Sequence, residues 1–462
     1  MNAHLKPETL APANAPSLGT NAEWHARRLA ATPRGVAVMG DFFIDHAKNA
    51  ELWDIEGRRF IDFVGGIAVL NTGHRHPKIE AAIAEQLQRF THSCYQVVPY
   101  AQYVSLAERI NAIVPIDGPT KTALFSTGAE AVENAVKIAR SYTGRSGVIA
   151  FGGAFHGRSM FAVSLTGKVQ PYKAGFGPFP PELYHVPFPC HCANLDEVKK
   201  AVYQLFKADI EPSRVAAIVF EPVQGEGGFN VIQPAAVQWL RELCNEHGIV
   251  MIADEVQTGF GRTGTLFACE QANITPDFLV LSKGLTAGYL PMSVVMTTEE
   301  IYAIFYDRYD TLKGFLHSHS YTGNALAARV ALASLDLFAR DDVIAQNRER
   351  SRVMAEALTP LRDHPQVLEV RQTGMVAAIE LVRDKATRTP YDWRERRGLA
   401  IFQAALKRGL LLRPIGNVVY FMPPYIITPE QIRWMVATAA EAIDEGLRAP
   451  AGHFSERGPS MA

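Results

Sequence analysis

Cysteine is scarce and unpatterned in this chain. Five residues in 462, at positions 94, 190, 192, 244 and 269, are an odd number spread too widely for a disulfide framework, and a reducing cytoplasm fits that usage. Charge of one sign is also missing: 46 Lys and Arg stand against 47 Asp and Glu, a formal net charge of -1. No basic field therefore draws nucleic acid or an anionic membrane surface to the protein. No apolar run is long enough for a transmembrane helix. Met1 to Asn21 is rich in Ala and Pro without a continuous apolar stretch, so it reads as a flexible arm and not a signal peptide. Metal ligands are lacking too, because Cys190-His191-Cys192 has no second ligand pair at a spacing that completes a tetrahedral site. There is no internal repeat and no low-complexity tract. What is present is a globular composition, 48% hydrophobic and 20% charged, with enough chain for one large and one smaller domain.

From about Pro77 helical and strand-like segments alternate, the signature of an α/β domain with a mostly parallel sheet and helices on both faces. Ile79, Ile83, Leu87 and Phe90 mark one helix face. Strands are expected at Thr122–Phe125, Val148–Phe151, Ala216–Phe220, Ile249–Ala253 and Phe278–Leu281. Ser126-Thr127-Gly128 then opens a helix with Val132, Ala135, Val136 and Ala139 on its apolar face. Small residues at such a junction let backbone amides and the positive helix end meet an anion, although most tight turns of this kind are only turns. After about Ser334 long helices dominate, followed by strand-rich stretches at Glu369–Val382 and Gly409–Pro424. These, with the segment around Leu52 to Phe63 and its hairpin turn at Asp54–Arg58, should form a smaller α+β domain built from both termini. The expected division is an arm over 1–21, a small domain from 22–76 and 335–448, a large domain over 77–334 and a flexible tail over 449–462.

The chemistry gathers where apolar runs stop. Phe278-Leu279-Val280-Leu281-Ser282-Lys283 ends a buried strand on an amine, and Ile249-Val250-Met251-Ile252-Ala253-Asp254 ends another on an acid. Pyridoxal phosphate needs that pair: a lysine for its Schiff base, and a carboxylate to keep its ring nitrogen protonated. His156, Arg158, Glu221, Gln224, Glu226 and Gln257 also follow strand ends, where open α/β sheets bind ligands, so all are expected around one crevice.

With Lys283, Asp254, the Ser126-Thr127-Gly128-Ala129 loop and Phe155-His156-Gly157 taken together, the chain resembles the class III aminotransferases over nearly its whole length. The resemblance implies a fold-type I pyridoxal-phosphate transferase with a seven-stranded type of sheet. It also implies that Lys283 carries the cofactor and moves the proton, that Asp254 pairs with the ring nitrogen, and that Gln257 meets the ring hydroxyl. Phe155 would stack on the ring, Gly128 and Ala129 would hold the phosphate beside Ser126 and Thr127, and His156 and Glu221 would share the cofactor site. Ser320 stands where a partner subunit usually supplies threonine, which implies a homodimer with shared sites and leaves a tetramer open.

Two branches of the family are represented, and the chain reads as a mosaic of them. Up to about residue 258, Gly66-Ile67-Ala68-Val69-Leu70-Asn71-Thr72-Gly73-His74, Phe155-His156-Gly157-Arg158 and Glu221-Pro222-Val223-Gln224-Gly225-Glu226-Gly227-Gly228 resemble 4-aminobutyrate aminotransferases. There Arg158 would bind the far carboxylate of an ω-amino acid and Ile67 would line the pocket. Beyond that point, Leu281-Ser282-Lys283-Gly284-Leu285-Thr286, Phe315 to Asn324 and Arg413-Pro414-Ile415-Gly416-Asn417-Val418-Val419-Tyr420 resemble the 7,8-diaminopelargonate (adenosylmethionine-8-amino-7-oxononanoate) aminotransferases of biotin synthesis. In those enzymes the position of Arg413 meets the carboxylate of a long keto acid. Tyr420 stands where the first branch has an arginine for the α-carboxylate of 2-oxoglutarate. Glu226 then lacks its usual partner and has three ways to settle: reach Arg413, stay hydrated, or take up a proton. The implied activity is transfer of the amine of 4-aminobutyrate or a related ω-amino acid to 2-oxoglutarate or pyruvate, with diaminopelargonate formation as the alternative.

Overall fold

The computed structural model describes residues 19–450 apart from 34, 37, 192 and 193. The expected arm and tail therefore fall almost wholly outside the described residues. The described chain opens with the helix Asn21–Ala31, capped by Thr20 and Glu23 in a reciprocal capping box. Strands β1 (Ile44–Lys48), β2 (Glu51–Asp54) and β3 (Arg59–Asp62) follow as an antiparallel meander. The Asp54–Arg58 segment makes the β2–β3 turn as expected, with Arg58 N donating to Asp54 Oδ1 at 2.8 Å.

The large sheet contains β4 (Thr120–Phe125), β5 (Gly147–Phe151), β6 (Leu183–Val186) and β7 (Val215–Phe220). A hairpin of β8 (Val223–Gln224) and β9 (Asn230–Val231) follows, and then β10 (Val250–Asp254), β11 (Phe278–Leu281) and β12 (Ser293–Thr298) complete the sheet. The order is β4-β12-β11-β10-β7-β5-β6. β5, β7, β10 and β11 are buried at every residue, which is why they are written as unbroken apolar runs. Only β12 runs against the others. Residues 282–292 separate it from β11, too few for the crossover helix that a parallel return needs. The helix Gly128–Thr143 buries Ala131, Val132, Ala135, Val136, Ile138 and Ala139 on one face of the sheet. The helices Ala101–Asn111, Leu195–Ala208, Pro234–His247 and Ala325–Arg340 cover the other.

One expected helix face is corrected. Pro77–Arg89 is helical, but Leu87 is 51% exposed and the buried residues are Ile79, Ala82 and Gln86. Each four-residue step overshoots a turn by about 40°, so Leu87 has drifted about 80° from Ile79, and Phe90 lies past the helix end.

Strands β13 (Val367–Thr373), β14 (Val376–Asp384), β15 (Thr389–Pro390), β16 (Leu410–Leu411), β17 (Arg413–Ile415) and β18 (Val418–Phe421) lie in the C-terminal part. β16 joins β3 in parallel, and Ala50, Ile61 and Phe63 share one core with Val353, Leu381, Phe421 and Ile443. The two ends of the chain thus bury each other. This core meets the large sheet at a tight backbone crossing, where Met375 N donates to Arg262 O at 2.8 Å. Gly374 has φ 54°, and a Cβ there would stand 2.3 Å from the carbonyl carbon of Thr263. Gly374→Ala should therefore lower the free energy of unfolding by about 2–4 kcal/mol in a urea titration; an unchanged midpoint would show that the crossing can relax.

Candidate functional site

Asp254 is the last residue of β10, Glu221 follows β7, Phe155 and His156 follow β5, Ser126 follows β4, and Lys283 lies two residues past β11. These strands are parallel, so their carboxyl ends converge on one edge of the sheet. Lys283 is partly buried and adopts φ 41°, a strained conformation for a residue with a side chain. Burial pushes its ammonium below the ordinary lysine value, against the pull of Asp254, Glu221 and Glu226. Arg413 adds to the depression, so the amine stands within the fields of all three acids and of that guanidinium.

Asp254 is 5% exposed and accepts from Val256 N at 3.1 Å. Its other oxygen lies 2.8 Å from His156 Nδ1. Burial works against charge on this imidazole, but the Asp254 carboxylate outweighs it and holds His156 above the ordinary histidine value. Burial also pushes the Glu221 carboxyl up to about 7, with Asp254 adding to the shift and His156 opposing it. The Glu221 oxygens accept from Phe155 N at 2.9 Å and Gly225 N at 3.3 Å, tying the β5 and β7 loops together. Gly225 also packs against Gln257, whose Oε1 would stand 2.2 Å from a Cβ there.

The small-residue loop opens the helix Gly128–Thr143, with Thr127 as its cap and Glu130 N donating to Thr127 Oγ1 at 3.2 Å. Ser126 N is taken by Glu130 Oε2 at 2.9 Å. The amides of Gly128 and Ala129 are helix-start donors without a carbonyl partner among the described residues. A Cβ on Gly157 would stand 2.4 Å from that of Ala129, and one on Gly128 would stand 3.1 Å from Val256, so this loop abuts both the His156 and the Asp254 segments. Ser320 is exposed and makes no hydrogen bond to the loop. It is its neighbour His319 that reaches Ser126 Oγ, at 3.2 Å.

Of the expected substrate residues, Glu226 and Arg413 lie near enough to Lys283 to act on its amine. Glu226 settles on Arg413, the first of the three outcomes: both terminal nitrogens of Arg413 lie 3.4 Å from Glu226 Oε1. Arg413 also donates to Tyr420 Oη at 3.0 Å. Burial works against the Arg413 charge, but Tyr420 and Glu226 outweigh it and hold the guanidinium above its ordinary value. Tyr420 is fully buried, so any part it takes in binding passes through Arg413. Arg158 is exposed, makes no ion pair among the described residues, and lies over the Phe155 and Tyr172 rings at 5.9 and 5.3 Å. Ile67 is 38% exposed in a turn where Gly65, Gly66, Ile67 and Ala68 all have positive φ. That is costly for a β-branched residue. The turn is held by Asp62, which accepts from Val64 N at 2.7 Å and Gly65 N at 2.9 Å, while Asn71 Nδ2 ties the segment to Gly284 O at 2.8 Å.

A class III aminotransferase family model matches residues 31–443. This protein belongs to the class III aminotransferases. It is 42% identical over 434 residues to the Escherichia coli 4-aminobutyrate aminotransferase GabT, covering 93% of this chain and 99% of that one. It is 44% identical over 436 residues to the Pseudomonas aeruginosa 5-aminovalerate aminotransferase DavT, covering 92% and 99%. Among solved structures, the adenosylmethionine-8-amino-7-oxononanoate aminotransferase of Methanocaldococcus jannaschii superposes with TM-score 0.85 at 30% identity, covering 92% and 99%. Each comparison spans residue 258, where the motif resemblance changes branch, and one hydrophobic core holds both Ala253 and Phe260 on either side of it. The α/β sheet above is accordingly the fold-type I sheet of this family.

Two residues of this aminotransferase site escape a reading of motifs. Tyr172 donates to Glu226 Oε2 at 2.6 Å, and Lys168 donates to the Glu226 carbonyl. Both stand in the loop after Thr166, which has no strand-end or glycine pattern to mark it.

Glu221 also yields a pH signature. A buried acid with a raised pKa keeps its proton in the folded protein where the unfolded chain has lost it. Its stabilising contribution is therefore complete below about 4.5 and is lost as the pH rises through about 7. In urea titrations of the cofactor-free protein, wild type should lose about 3 kcal/mol relative to Glu221→Gln across that window. Equal pH slopes for the two proteins would contradict the assignment.

Proposed function

We propose that this aminotransferase is a pyridoxal-phosphate enzyme that takes the amine of 4-aminobutyrate or a related ω-amino acid and passes it to a 2-oxo acid by a ping-pong route. The observation that carries the reading is the depressed Lys283 amine standing in the fields of Asp254, Glu221, Glu226 and Arg413, the last two paired with each other. The chain's residues fit the cofactor. The open amides of Gly128 and Ala129 at a helix start suit a phosphate, and the buried Asp254 carboxylate, steadied by His156, suits a protonated ring nitrogen. Ser126 and Thr127 complete the phosphate loop, Phe155 offers a ring face, Gln257 a hydrogen bond, and Glu221 fixes the Phe155 backbone. When bound, pyridoxal phosphate supplies an electron sink for charge developing at the substrate carbon.

Within that frame Lys283 holds the cofactor and carries the proton at Nζ, a task eased by an ammonium that gives up its proton more readily than an ordinary lysine. Arg158, without a carboxylate partner among the described residues, meets the far carboxylate of the ω-amino acid, and Ile67 borders it. Arg413 takes the place of the arginine absent at Tyr420 and reads the carboxylate beside the keto group, once it has parted from Glu226. In a ping-pong route both substrates use the same crevice in turn, so one guanidinium for each carboxylate suffices. The large domain over 77–334 and the small one from 22–76 and 335–448 then form the two walls, a division supported by the shared terminal core. We further propose a cytoplasmic homodimer with Ser320 of the partner subunit completing the phosphate site; among the described residues no helix is long and apolar enough to cross a membrane. Arg413 and its surrounding motif also support the diaminopelargonate alternative.

The test is the absorption spectrum of protein loaded with pyridoxal phosphate, titrated with 4-aminobutyrate in the absence of any oxo acid. Conversion to the pyridoxamine form is expected, whereas conversion by 7,8-diaminopelargonate alone would overturn the donor assignment. Asp254→Asn should cut single-turnover conversion about a hundredfold or more, because the ring loses its charged partner. A variant with wild-type rates would remove Asp254 from the chemistry.

A further inference from the structure

Tyr172 touches both halves of the substrate-reading apparatus, although nothing in its local sequence marks it. Its hydroxyl donates to Glu226 Oε2 at 2.6 Å, a short charge-assisted bond. The bonds from Arg413 to the other Glu226 oxygen are long, 3.4 Å each. Glu226 is therefore held more firmly by Tyr172 than by Arg413. The ring of the same tyrosine meets Phe155 edge-on at 5.2 Å and lies beneath the guanidinium of Arg158 at 5.3 Å. Burial, reinforced by Glu226, raises the Tyr172 hydroxyl well above the ordinary tyrosine value, so it stays a proton donor throughout the working pH range.

We infer that Tyr172 is a positioning residue for specificity: its hydroxyl retains Glu226 so that Arg413 is released to a second carboxylate, while its ring holds Arg158 in place for the first. The inference rests on the proposed assignment of Arg158 and Arg413 to two substrate carboxylates. An entering diacid must compete with Glu226 for Arg413. With Tyr172 in place, Glu226 gives up only its weak pair of bonds and keeps its strong one, so the competition is easily won. Without the hydroxyl, Glu226 has only Arg413 among these partners, and the guanidinium becomes harder to free. An ω-amino acid brings its single carboxylate to Arg158 and leaves the Glu226–Arg413 pair undisturbed. The two substrates therefore depend on different parts of one side chain.

Glutarate is a suitable probe, because it carries two carboxylates and has no amine to react. Its binding to the pyridoxal-phosphate-loaded protein is measured by calorimetry for wild type, Tyr172→Phe and Tyr172→Leu. The KM for 4-aminobutyrate is measured on the same preparations. Tyr172→Phe should weaken glutarate about tenfold and leave the 4-aminobutyrate KM within about twofold, since the ring under Arg158 remains. Tyr172→Leu should weaken glutarate a further two- to fivefold and raise the 4-aminobutyrate KM by a similar factor. Wild-type glutarate affinity in Tyr172→Phe would overturn the inference. So would a rise in donor KM matching the loss of glutarate affinity, which is what a merely structural role gives. If 4-aminobutyrate fails to convert the cofactor of the wild type while the glutarate pattern holds, the donor assignment falls and the role of Tyr172 stands.

Discussion

The site depends on keeping charges at the dry end of a parallel sheet. Asp254 ends β10 and Lys283 lies just beyond the neighbouring β11, on strands whose side chains are otherwise wholly apolar. A lone carboxylate there would be costly, and its 2.8 Å contact with His156 offsets that cost. His156 in turn is secured by the loop after β5, where Thr166 Oγ1 accepts from its backbone amide at 3.3 Å. Glu221 stitches the same loop to the end of β7. Each of these groups is held in place by its neighbours, and the amine of Lys283 is depressed by burial in spite of the acids around it.

A second network is looser. Glu226, Arg413, Tyr420, Tyr172 and Lys168 draw on the β8–β9 hairpin, the β17–β18 hairpin and the loop after Thr166. Its bonds range from short to long, and its members retain some exposure, apart from fully buried Tyr420. That contrast suits the proposed function. Cofactor chemistry gains from groups that do not move, whereas reading two different acids in turn needs a contact that parts at low cost.

Much of this is legible in the sequence, for a physical reason. Buried parallel strands are written as unbroken apolar runs, so the polar residue that ends each run stands out, as Asp254, Glu221 and Lys283 do. The terminal core is legible less directly, through strand-rich stretches at both ends that need a partner. The reversed direction of β12 is set by a connection too short to cross over, which is a matter of chain length and not of residue type. The contacts of Tyr172 are not legible at all. They join a loop to a hairpin distant in sequence, and no periodicity or capping rule links the two. Leu87 shows the opposite failure, since an apolar residue at a regular spacing still rotates off the buried face.

Lys283 is proposed as the amine that carries the cofactor in this site. The direct measurement is borohydride reduction of the protein loaded with pyridoxal phosphate, followed by proteolysis and mass spectrometry of the modified peptide. One phosphopyridoxyl group per chain is expected, carried on Lys283. Modification of Lys168 or Lys173, lysines that burial also depresses, or of no single lysine, would contradict it.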